Sequence, residues 1–384
     1  MKLGIIIIFL FSFAQVQLRA QEKDACAVHL KHLPQDGVLL DRGWKLQAGD
    51  NPEWAGHNYD DSGWQAVDPT KEIKVLPTLW QHSIVWFRLH LCLDSVLRQQ
   101  SLVLVGGQAG ASEIYLNGRL IKQLGVVSPN PEKVQALTLP YGQVIVLPLG
   151  SGSEQVLAVR FALQKDLPYF QFGNVFAPAL SFRLNETNAA VDYANLNDIT
   201  SFEYFRIGFF FILAILHLAF FWFYPAQRAN MYFFLYALFS ALAAWMINSA
   251  YKTYSVEAKV YLLILGCAFV FVLNYVFYLM ALYRLFNQSK GIYFWTLTVG
   301  LILFFGSSFW FYQMKDFLID LIFLLIPLET MRVAIIAIRR KQRGARIVAG
   351  GAICFSLSSP FLWLWPMDIY RQVQTGLWVT LCGI

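Results

Sequence analysis

The feature that most constrains the fold of this 384-residue chain is a change of hydrophobic pattern near residue 205. Beyond it, apolar stretches of roughly 20 residues follow closely, the length that crosses ~30 Å of hydrocarbon at 1.5 Å per residue. They run over Ile207 to Tyr224, Met231 to Ala250, Val260 to Tyr283, Ile292 to Tyr312, Phe317 to Ile338 and Ile347 to Trp365. A seventh starts at Thr375 and reaches only to Ile384, so the pattern predicts an all-α seven-helix membrane bundle over 206–384, truncated in its seventh helix.

The amino terminus has the pattern of a secretory signal peptide over residues 1–20. Lys2 precedes the apolar run Leu3 to Ala14, and small and polar residues follow up to Ala20. An uncleaved anchor is the open alternative. In either case the following segment is exported, beginning with a leader over 21–35.

Loop charge then predicts the orientation. If the first span leaves the exported domain, the inward gaps hold Arg228, Arg284, Lys290, Arg339, Arg340, Lys341, Arg343 and Arg346, against Lys252, Lys259, Lys315 and Arg371 outside. This excess follows the positive-inside rule. We therefore expect a multi-pass protein of the bacterial inner membrane, with an extracytoplasmic amino-terminal domain and a cytoplasmic carboxyl terminus.

The same charges argue against nucleic acid as a partner. Residues from Arg206 onward include 14 basic and 5 acidic side chains, whereas Gln21 to Phe205 holds 14 basic and 19 acidic ones. The basic residues thus lie where loops meet anionic lipid, and the bilayer is the expected partner. A homodimer is left open.

The exported segment has the pattern of a β domain over 36–184, followed by a juxtamembrane linker over 185–205. Short β-branched or alternating runs are separated by turn residues, and Asn117-Gly118 between two such runs is a strong two-residue hairpin signal. The pattern predicts a β-sandwich of about 150 residues. A disulfide between Cys26 and Cys92 is left open.

Four motifs in order carry a resemblance for this domain: Asp60-Asp-Ser-Gly-Trp64, Trp86-Phe-Arg88, Glu113-Ile-Tyr-Leu-Asn-Gly118 and Val156-Leu-Ala-Val-Arg160. Together they resemble the galactose-binding-like jelly roll at the amino terminus of β-galactosidase-type glycoside hydrolases. The expected fold class is therefore a jelly-roll β-sandwich followed by the membrane bundle.

Two membrane motifs extend the resemblance. Met231-Tyr-Phe-Phe-Leu-Tyr-Ala-Leu-Phe239 and Arg343-Gly-Ala-Arg-Ile-Val-Ala-Gly350 are similar to segments of the bacterial seven-transmembrane receptors with diverse intracellular signalling modules. The resemblance implies a receptor that drives a cytoplasmic kinase, phosphatase or cyclic-nucleotide enzyme. Since no such module is present, we expect it beyond Ile384 and predict that this chain itself is not an enzyme.

The titratable residues of the β domain do not form a pattern that is typical of catalysis. Asp60 and Asp61 are neighbours, whereas glycoside hydrolysis needs two carboxyl groups facing each other ~5 Å apart or more. His29 and His32 are the closest approach to metal-ligand spacing, without accompanying carboxylates or cysteines. We predict no catalytic residue, no metal site and no cofactor.

Ligand contacts are predicted at Trp54 and Trp80, which lie in loop-like sequence and whose indole faces can stack on sugar rings. Trp64 and Trp86 are expected to fill the sandwich core. The partner implied is an extracytoplasmic small molecule or carbohydrate.

A transmembrane relay is predicted at Glu329 and Arg332, which share a helix face, next to Pro327, which can bend the helix. Helix packing is the alternative role. The rival functions are a membrane transporter and a membrane-anchored enzyme or interaction protein carrying a carbohydrate-binding module.

Overall fold

A computed structural model describes residues 26–34, 36–167, 178–187, 198–307 and 315–351, and every structural statement below concerns these residues. The predicted signal peptide, most of the sixth apolar stretch and the whole seventh lie outside them, as do parts of the leader and of the linker.

The first half of the described chain is built from strands. They are β1 (Val28–Leu30), β2 (Val38–Leu39), β3 (Trp44–Ala48), β4 (Gln65–Val67), β5 (Val85–Leu93), β6 (Leu102–Gln108), β7 (Ala111–Leu116), β8 (Arg119–Val126), β9 (Gln135–Ala136), β10 (Val144–Val146), β11 (Glu154–Ala162) and β12 (Leu180–Glu186). Short helices α1 (Pro77–Gln81) and α2 (Ser95–Arg98) and 3-10 turns Pro52–Ala55, Ile73–Val75 and Pro131–Lys133 connect them.

The strands form two sheets. The larger has the order β4-β3-β5-β11-β7-β8-β9, with β1 added in parallel beside β5, and the smaller has the order β10-β6-β12-β2. Residues from both sheets share one apolar core, in which Trp44 contacts Phe87 edge to face and Phe87 contacts Phe161 in the same way. The two sheets form a β-sandwich, in which many neighbouring strands are distant from each other in sequence.

A disulfide joins Cys26 to Cys92, with their Cα atoms 5.7 Å apart. It fastens the residues that precede β1 to the far end of β5. The pairing that the sequence left open is thus present.

Helices make up the second half. They are α3 (Asp198–Phe223), α4 (Ala229–Lys252), α5 (Val256–Ala268), α6 (Tyr275–Leu285), α7 (Ile292–Ser307) and α8 (Lys315–Arg339), and a π-helical segment, Phe269–Asn274, joins α5 to α6. Ser255 caps α5 by accepting a hydrogen bond from the N–H of Ala258 at 3.1 Å.

The prediction of a seven-helix membrane bundle is wrong for the described residues. Two helical segments are long and apolar enough to cross a membrane, Glu203–Phe223 with 21 residues and Ala229–Lys252 with 24. The third predicted span contains the π-helical segment, and the fifth carries several charges and Pro327. Within the described residues, continuous apolar sequence thus overestimated the number of helices that are long and apolar enough to span a membrane.

Candidate functional site

Strand β5 is buried on both faces, and its alternating side chains serve two different environments. Val85, Phe87 and Leu89 point into the core between the sheets. Successive strand residues face opposite ways, so Trp86, Arg88 and His90 lie on the outer face of the larger sheet. The prediction that Trp86 fills the sandwich core is therefore wrong, because Trp86 packs in a separate cluster outside that core.

A buried ionic network occupies this outer face. Arg88, fully buried, donates from Nε to Oδ2 of Asp61 at 2.9 Å, and Lys45 Nζ donates to Oδ1 of Asp61 at 2.6 Å. His90 bridges two carboxylates, with Nε2 2.8 Å from Asp61 Oδ2 and Nδ1 2.5 Å from Glu154 Oε1. Asp61 is only 4% exposed, and each of its carboxylate oxygens has a charged partner, as a buried charge requires.

The same arginine fixes the loop that covers the sheet. Its Nη1 donates to the carbonyl oxygens of Trp54 and Gly56, the latter at 3.0 Å, and its Nη2 donates to that of Tyr59 at 3.4 Å. The Cζ atom of Arg88 lies 5.7 Å from the ring centre of Tyr59 and 5.8 Å from that of Trp64. The network thus holds the loop around Trp54 to the sheet.

The pKa values of the network follow from these contacts. Burial raises the pKa of Asp61, but hydrogen bonds from His90, Lys45 and Arg88 outweigh it and hold that pKa far below its ordinary range. The hydrogen bond to Asp61 raises the pKa of His90 against the opposing effect of burial, with help from Glu154. The arrangement favours an ionised carboxylate facing an imidazolium.

Trp54, predicted to contact ligand, belongs to the aromatic cover of this network. Its ring centre is 5.2 Å from that of Trp64 and 6.3 Å from that of Trp86. A Cβ placed on Gly49 would lie 2.9 Å from Trp54 Cη2, so the indole rests directly on a glycine backbone. Its side chain is half-buried, and neighbouring residues cover most of the indole.

Trp80 lies elsewhere. Its Nε1 donates to the carbonyl oxygen of Ile73 at 3.1 Å, and its partly buried ring packs against the main core, whereas Trp54 belongs to the outer cluster. The two predicted ligand residues therefore lie in separate packing clusters, and their roles in binding remain predictions.

The predicted relay residues lie together with a third residue that the sequence did not suggest. Arg332 donates to Glu329 through Nε and Nη2, both at 2.7 Å, and Nη2 also donates to the Tyr283 hydroxyl at 2.8 Å. Tyr283, on α6, itself donates to Glu329 Oε1. This three-residue cluster ties α6 to α8 two residues after the buried Pro327, but its role in relay remains a prediction.

The sandwich also contacts the helices directly, at the turn between α4 and α5. The N–H of Thr138 donates to the carbonyl of Tyr254 at 2.8 Å, and the N–H of Tyr141 donates to that of Tyr251 at 3.0 Å. Leu137 and Ser255 form an antiparallel β-bridge. We call the paired segments Leu137–Tyr141 and Tyr251–Ser255 the junction.

Side chains reinforce the junction from both sides. The sandwich core continues into the helices through Ala250, Val256, Val260 and Leu263. Gln108, at the end of β6, donates from Nε2 to the carbonyl of Leu137 at 2.9 Å and accepts from the Ser112 hydroxyl at 2.5 Å. Hydrogen bonds thus run without a break from β7 through Gln108 to the junction.

Comparison with known proteins gives structural similarities of low identity and coverage. No protein-family model and no curated protein matches the chain. The chain is similar to a calcium-binding mutant of Bacteroides uniformis β-glucuronidase 2 (15% identity, 38% of this chain and 17% of that one, TM-score 0.27). It is also similar to a Bacteroides vulgatus β-glycosidase (18%, 40% and 20%, 0.28) and to Faecalibacterium prausnitzii β-glucuronidase (18%, 37% and 22%, 0.25).

These similarities contradict the prediction that the chain is not an enzyme, since the structures it matches are glycoside hydrolases, and we withdraw that prediction. The chain spans about a fifth of the length of those structures. At such identities and TM-scores the matches assign no activity or substrate to it.

Proposed function

We propose that the chain is a membrane signal-transduction receptor. Its β-sandwich binds a small-molecule or carbohydrate ligand outside the bacterial inner membrane, and its helices relay binding towards the cytoplasm. The observation that carries the proposal is the junction, where backbone hydrogen bonds join Leu137–Tyr141 to Tyr251–Ser255. A domain that used helices only as an anchor would not require its core to continue into them.

Relay through the junction needs a ligand that prefers one arrangement of the sandwich. Such a ligand shifts the population of junction states by no more than its difference in affinity for them. Because Gln108 connects β6 and β7 to Leu137, a change in either strand alters the position of the turn that starts α5. The junction is thus the route by which binding reaches α4 and α5.

The surface of α3 supports placement in a membrane. Phe211, Ile212 and Ile215 are each more than half exposed on it, and Trp222 at its end is 80% exposed. Apolar faces of this kind are stable in lipid, and aromatic residues at a helix end suit the membrane interface. Arg228 follows in the turn to α4, which we place on the cytoplasmic side, opposite the junction.

The cluster of Tyr283, Glu329 and Arg332 supports a second relay point. It lies near the end of α8, about two to three turns before the basic residues Arg339 and Arg340. The carboxylate of Glu329 is 5% exposed and therefore needs its two partners. A shift of α6 against α8 would have to break the hydrogen bonds that Tyr283 makes with Glu329 and Arg332.

A screen with a dynamic readout tests the proposal. The full chain in lipid nanodiscs is screened against glycans and small metabolites, and amide hydrogen exchange is then measured with each binder. A ligand of the sandwich is expected to change exchange at Tyr251–Ser255 as well as within the sandwich. Binding that alters exchange in the sandwich and leaves both sides of the junction unchanged would contradict a relay.

A further inference from the structure

The first strand brings an imidazole beside the pair of cysteines. Because β1 runs parallel to β5, the register places His29 opposite Cys92, and Cys26 lies just before the strand. The ligand atoms of these three residues, two sulfurs and one ring nitrogen, all lie within 4.8 Å of one another. The sequence predicted no metal site because Cys92 is distant from Cys26 and His29 along the chain.

Thiolate and imidazole are the donors that zinc prefers. Zinc binds sulfur at about 2.3 Å and nitrogen at about 2.0 Å, so donors in a tetrahedral site are roughly 3.3 to 3.8 Å apart. In the reduced chain, small side-chain rotations would bring the three ligand atoms to these tetrahedral separations. A site with two cysteines, one histidine and an open fourth position is a known zinc arrangement.

We propose that the reduced chain binds a zinc-like divalent ion through Cys26, His29 and Cys92, with water as the fourth ligand. The disulfide and the metal centre are two states of one site. A dithiol reductant converts the first into the second: the S–S bond breaks, each sulfur gains a proton and an electron, and the dithiol becomes a disulfide. Binding of the metal then releases the two thiol protons.

The surrounding structure suits both states. Leu30 of β1 is buried in the core, and its carbonyl accepts a hydrogen bond from the N–H of Asp94 at 3.0 Å. These contacts hold β1 beside β5 independently of the S–S bond, so the ligands keep their places after reduction. His29 is exposed and both cysteines are half-buried, which gives a metal ion access from solvent.

Zinc titration of the full chain in detergent tests the proposal. In a background with Cys267, Cys354 and Cys382 changed to alanine, the chain is reduced with a phosphine, freed of metal and titrated with Zn²⁺ against a chromophoric chelator. We expect one ion per reduced chain and none per oxidised chain. Co²⁺ in place of Zn²⁺ should show a thiolate charge-transfer band.

A pair of histidine variants supplies the matched control. His29→Ala should weaken Zn²⁺ binding by about 100-fold, since losing even a second-shell partner costs about 10- to 100-fold. His32→Ala, an exposed histidine three residues along, should bind as the parent does. Both variants should still form the Cys26–Cys92 disulfide, and thiol counting after oxidation reports that they fold.

Three results would overturn the site: no Zn²⁺ retained by the reduced parent, equal binding by the oxidised parent, or equal affinity of the two histidine variants. The proposal does not depend on the receptor function.

Discussion

The backbone N–H of Thr138 in the sandwich donates to the carbonyl oxygen of Tyr254, in the turn between α4 and α5, at 2.8 Å. The two residues belong to different halves of the chain, yet they pair as neighbours in a sheet do. A main-chain connection holds position more tightly than contacts between long side chains, because it orders fewer rotatable bonds. Movement of one half therefore requires movement of the other or rupture of the junction.

Cysteines at Leu137 and Ser255 should form a disulfide across the junction. Directly opposed residues of an antiparallel pair have Cα atoms about 4.5 to 5.5 Å apart, within the range that a disulfide spans. We expect oxidation of Leu137→Cys/Ser255→Cys in membranes to protect both new thiols from a maleimide mass tag. The background lacks Cys267, Cys354 and Cys382.

The control pair is Arg119→Cys with Ser255→Cys. Arg119 starts β8, six residues before the Gly125 that pairs with Ala136, and a strand rises about 3.4 Å per residue. This pair should remain free under the same oxidation. Equal tagging of the two pairs would show that the junction is not formed in the membrane.

Asp61→Asn should lower stability and flatten its dependence on acid pH. The pKa of Asp61 is lowered by folding, so its contribution is present above its unfolded pKa, near 4, and is lost as pH falls towards the folded value. Leaving Arg88 without its carboxylate should cost about 3 kcal/mol, as expected when one partner of a buried pair is removed.

Thermal unfolding of the full chain between pH 7 and pH 3 measures both effects. The parent should lose stability steeply below about pH 4, and Asp61→Asn should lose less over the same interval while starting lower. Asp60→Asn changes the adjacent exposed carboxylate and serves as the control. An acid profile of Asp61→Asn parallel to that of the parent would contradict the assignment.

Local patterns predicted much of the sandwich. Asn117 and Gly118 both adopt positive φ, as the two-residue hairpin requires, and the chain around them forms β7 and β8. The alternation in β5 indicated a strand but not which face it buries. Trp86 and Arg88 are covered by a loop that precedes them by some 30 residues, and a local pattern does not contain that contact.

Long-range pairing explains what the sequence missed. The contact of His29 with Cys92 depends on the parallel register of two strands, and that of Tyr283 with Arg332 on the packing of two helices. The span prediction failed for another reason: apolar composition does not show where the helical hydrogen-bond pattern changes, as it does in the π-helical segment within the stretch from Val260 to Tyr283. Apolar content predicts burial or lipid contact, whereas the regularity of a helix also depends on packing.

Trp54→Ala should destabilise the sandwich whatever its effect on ligand binding. The indole covers Gly49 and contacts Trp64 and Trp86, and truncating a half-buried tryptophan should cost about 2 to 3 kcal/mol, below the range for full burial. Chemical denaturation of the full chain in detergent, followed by tryptophan fluorescence, measures the loss. Val146→Ala, at an exposed strand position, should change stability little. A loss no larger than that of Val146→Ala would return Trp54 to the role of an exposed ligand contact.

Removal of Arg332 alone should be worse than removal of the whole ion pair with Glu329. In Arg332→Leu the buried carboxylate of Glu329 keeps the Tyr283 hydroxyl but loses its counter-charge, at a cost of about 1 to 3 kcal/mol, below that of a fully buried pair because the Arg332 side chain is 35% exposed. The double variant Glu329→Gln/Arg332→Leu leaves no buried charge, and its glutamine can still accept from Tyr283.

We therefore expect the thermal midpoint of the double variant in nanodiscs to lie above that of Arg332→Leu and closer to that of the parent. Arg339→Leu, at the exposed end of α8, controls for loss of a basic residue. If the cluster also holds α6 in a signalling position, Arg332→Leu should increase amide exchange along Tyr275–Leu285, and the double variant should partly reverse it. Additive effects of the two changes would mean that Glu329 and Arg332 are not coupled and would place the relay elsewhere.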